Sequence, residues 1–198
     1  MKTYTIILLL ISILTLSCSA NRNEKNQENS RTELPTEPDK QSNIHHEKDK
    51  GIYEMTNDSL WNHLVFKKGG CLTGGQYVRE GRFGGAGCVM TNSKGWEIFF
   101  NRDRNEISDF LISKISDDTV KTHIHTCPFF SAIEGEVAVY GLQKMYGLNW
   151  FDFEAFKAFQ NRQSESLMEN HQAWLQGILE DDKKRKTLID CWKKQASR

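Results

Sequence analysis

The sequence predicts a mainly α, small helical domain with a glycine-rich loop and a β-hairpin in its N-terminal half, with α+β as the alternative class. Three observations carry this. In the last third, Leu167, His171, Trp174, Leu175 and Ile178 recur at i, i+4, i+7, i+8 and i+11, the spacing of one helix face. Between Lys67 and Gly87 lie eight glycines, too many for a regular element. Beyond that loop, Cys88-Val89-Met90 and Trp96-Glu97-Ile98-Phe99-Phe100 are short β-prone runs on either side of Thr91–Gly95, which reads as a hairpin.

The elements follow in order. Asp58-Ser59 caps a short helix carrying Leu60, Trp61, Leu64 and Val65. After the glycine loop and the hairpin, Asn105 caps a helix bearing Ile107, Phe110, Leu111 and Ile115, which Asp117-Asp118 ends. Thr119 to Thr126 reads as extended and Cys127-Pro128 as a turn. Ser131 and Glu134 form a capping box for a helix that runs to Tyr146 and stops at Gly147. Phe151, Phe156 and Phe159 mark a further helix, and Leu188, Ile189 and Trp192 mark the last. Lys183, Lys184, Arg185, Lys186, Lys193 and Lys194 line the outer face of that last helix. A basic run of this kind is ordinarily a solvated face, and next to a membrane it would meet anionic headgroups.

The first fifty residues are of another kind. Lys2 precedes an apolar stretch from Tyr4 to Leu16, too short to span a bilayer, which takes about 20 apolar residues. It reads as a signal peptide. Leu14-Thr15-Leu16-Ser17-Cys18 resembles the end of a bacterial lipoprotein signal, although Thr15 stands where that family usually has Leu. The resemblance covers residues 1–20 and implies cleavage before Cys18, diacylglycerol on its thiol and acylation of its new amine. It implies a chain held in the bacterial cell envelope by palmitate-type chains. Ser19 in place of Asp points to the outer membrane. The alternative is a cleaved secretory peptide with an incidental Cys18, or an uncleaved anchor.

Residues 1–17 are thus the signal, 18–50 the lipidated cysteine with a polar linker, and 51–198 a single domain. The linker has no aromatic residue and only Leu34 and Ile44 as large apolar side chains, so it cannot offset the entropy of ordering. At about 5–6 Å × √n it spans roughly 30 Å. With 26 Lys+Arg against 26 Asp+Glu, no excess charge suggests nucleic acid as a partner.

Three constellations bear on chemistry. On an extended backbone His123, His125 and Cys127 share one face, and these are zinc-type ligands that Glu134 or Glu136 would complete. A structural zinc site ordinarily shows two separated ligand pairs, and only one cluster is present, so no cofactor is the expectation and zinc the alternative. With Cys18 lipidated, Cys71, Cys88, Cys127 and Cys191 remain, an even set in an oxidising compartment. Cys71–Cys88 would staple the glycine loop, worth about 3 kcal/mol in the chain-entropy model, with free buried thiols as the alternative. The loop itself, Gly69 to Gln76, lacks the ending of a phosphate-binding loop. Two functional classes follow. One is a membrane-anchored domain that binds a ligand or an envelope protein, without catalysis. The other is a metal- or thiol-dependent envelope enzyme centred on His123, His125 and Cys127.

Overall fold

Helix α1, Asn57–Asn62, begins at Thr56, whose hydroxyl accepts a hydrogen bond from Ser59 N at 3.2 Å. The cap thus lies two residues before the Asp58-Ser59 pair read from the sequence, because Thr56 has the extended backbone a cap requires. The computed structural model that shows this describes residues 51–72, 76–126, 130–162 and 168–198. The signal, Cys18, the linker, Cys127, Leu167 and the His171 side chain lie outside the described residues. Among them no helix is long and apolar enough to cross a membrane.

The chain is mainly α with two small sheets. After α1 it winds through a wider π-type turn, His63–Lys68, and leaves it at Gly69 with φ 64°. A side chain on Gly69 would run into the carbonyl and Cβ of His123, so glycine is what lets strand β1, Gly70–Cys71, lie beside strand β4, Lys121–Thr126. These strands are parallel, with Gly70 opposite Ile124 and Cys71 opposite His125. On the other side of β4 runs β5, Phe130–Ile133, antiparallel, with His125 opposite Ser131 and a register shift between Lys121 and His125. The order β1-β4-β5 leaves β5 at an edge.

A hairpin is present, but elsewhere than expected. Strands β2, Val78–Arg79, and β3, Arg82–Phe83, pair inside the glycine-rich segment. Glu80 and Gly81 between them both have positive φ, 50° and 73°, the signature of a two-residue I′ turn. The runs read as hairpin strands are helices α2, Val89–Asn92, and α3, Lys94–Phe100. Helix α3 buries Gly95, Trp96, Ile98 and Phe99, a helical rather than alternating pattern. Its aromatic residues suggested a strand, and packing decided otherwise: Trp96 and Phe99 lie 5.9 and 5.7 Å from the Trp61 ring.

Helix α4, Arg104–Ser113, is capped by Asp103, which accepts from Asn105 N and Glu106 N, each at 2.9 Å. Asp rather than Asn105 fills the cap, and the helix ends before Asp117. Helix α5, Glu134–Tyr146, ends at Gly147 in the left-handed conformation, as its sequence implies. Its start differs. Ser131 belongs to β5, and the capping bond runs from Ile133 N to Glu136 Oε2 at 2.8 Å. From Gly135 to Gln143 every residue of α5 is buried, which makes it the central helix.

Trp150–Asp152 and Glu154–Arg162 form tight 3₁₀ turns around Trp150, Phe151 and Phe156. Helices α6, Met168–Glu180, and α7, Asp182–Ala196, close the fold, with Leu188 and Trp192 of α7 in the core. Arg185 does not belong to the outer basic face. It is largely enclosed, pairing with Asp182 and Asp117 and donating to Leu179 O.

Candidate functional site

The alternation of β4 sorts its side chains. Thr122, Ile124 and Thr126 turn inward, while Lys121, His123 and His125 face solvent. The two imidazoles therefore share an exposed face, as the period of two requires. The pairing adds what spacing alone could not show, because residues opposite one another in neighbouring strands lie on the same face. Cys71, His125 and Ser131 form a row of thiol, imidazole and hydroxyl across the sheet. Cys127 lies outside the described residues, and among those no three His, Cys, Asp or Glu groups gather closely enough to hold a metal ion.

The carboxylates considered as a fourth ligand are engaged elsewhere. Glu134 accepts from Trp61 Nε1 at 2.7 Å. Glu136 is fully buried, whereas both histidines are exposed. Around its carboxyl converge Ile133 N at 2.8 Å, Gln176 Nε2 at 3.1 Å, Gln172 Nε2 at 3.3 Å and the Tyr140 hydroxyl at 3.3 Å. Burial pushes this carboxyl above the ordinary carboxylate range, and the four donors pull part of the way back. Tyr140, also buried, is raised by burial and then by the neighbouring Glu136.

Glu136 is wired to the surface through α6. Gln172 Oε1 lies 2.7 Å from the Thr126 hydroxyl, which also reaches Phe130 O at 3.0 Å, one proton between two acceptors. Gln172 and Gln176, positioned by the carboxyl, form the wall of a cleft of about 310 Å³ at the outer edge of β5, with Lys121, Phe130, Ser131 and Ala173 completing the lining. Phe130 is 51 % exposed there, whereas the large hydrophobic residues of the core are nearly fully enclosed. A concave site with few convergent polar groups above a carboxyl of perturbed acidity is the arrangement that ligand sites favour.

Sequence reasoning reached the exposed histidines but not this cleft. Gln172 and Gln176 stand four apart on one helix face, but Glu136 lies more than thirty residues before them, and nothing in the local pattern joins it to the pair. The available signal was an acidic residue, Glu136, directly before the run Val137 to Leu142, which holds only apolar residues, a tyrosine and a glycine.

Other thiols contribute little nucleophilic character. Cys88, at the head of α2, is a buried thiol raised by desolvation. Cys191 borders a larger cleft of about 500 Å³ with Phe153, Lys194 and Arg198, and burial and then Asp190 push its thiol up.

No family model, no curated protein and no solved structure matches the chain.

Proposed function

We propose that this chain is a bacterial lipoprotein, anchored in the cell envelope through Cys18, whose domain binds a ligand or envelope partner at the β5–α6 cleft. The observation that supports binding is the cleft itself. An exposed aromatic ring stands beside two carboxamides held in place by a buried carboxyl. Rigid polar groups at a concave surface favour recognition, because their ordering cost is met in folding rather than on binding. Several acyl chains at Cys18 would make the tether stable where one is marginal. The structure forms no disulfide between Cys71 and Cys88; an oxidising envelope would favour one, since Gly70 packs against Val89 and brings the neighbours of both cysteines together, and counting thiols before and after reduction tests it.

The experiment places a benzophenone side chain at Phe130 or at the equally exposed Tyr53 in the full chain in cells. Irradiation is expected to give a discrete adduct from position 130 that Gln176→Trp, which fills the cleft, abolishes. No adduct at 130, or the same adduct from 53, overturns the reading.

The enzyme reading on His123, His125 and Cys127 keeps one supporting observation, the shared exposed face of both histidines with Cys71 beside His125. Metal analysis of the purified full chain, with His125→Ala as the control, tests it.

A further inference from the structure

We propose that the cleft takes a sugar ring bearing one carboxylate, an inference that rests on the binding reading above and names its ligand class. Charge comes first. Among the described residues Lys121 is the one charged residue of the lining, and no carboxylate pairs with it. Within the described lining the cleft therefore offers an ammonium without a paired carboxylate, which favours an anionic group and disfavours a cation.

The carboxamides set the second requirement. Gln176 donates through Nε2 to Glu136, so its Oε1 is left to face outward as an acceptor. Gln172 uses both ends internally, Nε2 on Glu136 and Oε1 at Thr126. A ligand seated against Gln176 must bring hydrogen-bond donors, and the Ser131 hydroxyl gives or accepts one more. Hydroxyl groups on the ligand satisfy both.

The third requirement is a flat apolar face. Phe130 has half its surface open at the cleft edge. An aromatic ring open on one side suits the C–H face of a pyranose, whereas an alkyl or aromatic ligand would need a deeper apolar enclosure. A volume of about 310 Å³ lies at the small end for ligand sites and accommodates one ring rather than a long oligomer. Acetate or phosphate would satisfy Lys121 but leave Phe130 and Gln176 without partners.

The test uses the full chain in a polyether detergent, with glucuronic acid, glucose and acetate as probes in ligand-observed NMR titrations. Glucuronic acid is expected to bind with its ring C–H protons saturated, glucose about tenfold more weakly, and acetate without ring-dependent affinity. Lys121→Ala removes the preference for glucuronic acid over glucose, and Phe130→Ala weakens both sugars about tenfold. Both side chains are exposed, so unchanged thermal unfolding confirms that the variants fold. Absence of glucuronic acid binding, equal binding of acetate, or an unaltered preference in Lys121→Ala overturns the proposal. If glucuronic acid fails while position 130 still yields its adduct in cells, the ligand class is wrong and the binding reading stands; if both fail, both are wrong.

Discussion

Replacing Glu136 with leucine strands the groups that now converge on its carboxyl. The Ile133 N–H and the Tyr140 hydroxyl are buried and lose their acceptor, whereas Gln172 Nε2 keeps Ser131 O at 3.4 Å. At about 1 kcal/mol for each of these two stranded donors the loss is about 2 kcal/mol. Gln176, half-exposed, turns to water and adds little. For a domain of this size that lowers Tm by about 4–8 °C, at about 2–4 °C per kcal/mol. Glu136→Gln keeps the shape and one acceptor and is the sharper probe of charge. Because burial raises the folded carboxyl above its ordinary 4.5, the native state binds a proton more readily than the unfolded chain. The stability that this contributes is full below 4.5 and is lost as pH rises through the folded value. Urea unfolding of wild type and Glu136→Gln at pH 8 and pH 5 should therefore show the wild type gaining on the variant as pH falls. Groups common to both proteins cancel in that difference. If the wild type instead loses ground on acidification, the four donors outweigh burial and the account of this site is wrong.

Three other outcomes follow from local structure. Asp103→Ala removes the acceptor for two N–H groups of α4 and should cost about 1 kcal/mol in urea unfolding. Gly69→Ala places a methyl group onto the His123 carbonyl at positive φ; a cost of about 2 kcal/mol or more is expected, and near-neutral behaviour would contradict the close approach of β1 and β4. Trp61→Phe strips Glu134 of its 2.7 Å donor and loosens the packing on Trp96 and Phe99, so a loss of about 2 kcal/mol is expected, with a matching change in near-ultraviolet dichroism.

Much of the helical architecture was legible because local rules and packing agree there. Gly147 ends α5 where a left-handed residue was expected, and Leu60, Trp61, Leu64 and Val65 are all buried on one side of α1 and its extension. The hairpin was misplaced because Trp96, Ile98, Phe99 and Phe100 have strand-prone side chains, yet their core partners on α1 and α4 reward a helical face. Propensity lost to tertiary packing. The hairpin that forms instead depends on Glu80 adopting positive φ, which glutamate does not advertise. Cap positions slipped by about two residues wherever a second polar residue stood nearby, as with Asp103 and Asn105. Of the candidate sites, the shared face of His123 and His125 follows from period alone. The pairing of Cys71 with His125, and the assembly of Lys121, Phe130, Gln172 and Gln176 at one cleft, depend on register and on helix docking across long stretches of chain. Neither is written in any short segment.

The claim that most shapes this account is that the domain works on a lipid tether. A mass spectrum of the mature chain from bacterial membranes tests it most directly. The mature chain should begin at Cys18 and carry acyl groups, which Cys18→Ser eliminates together with membrane association. A mature chain that begins elsewhere, or an unmodified Cys18, would contradict it.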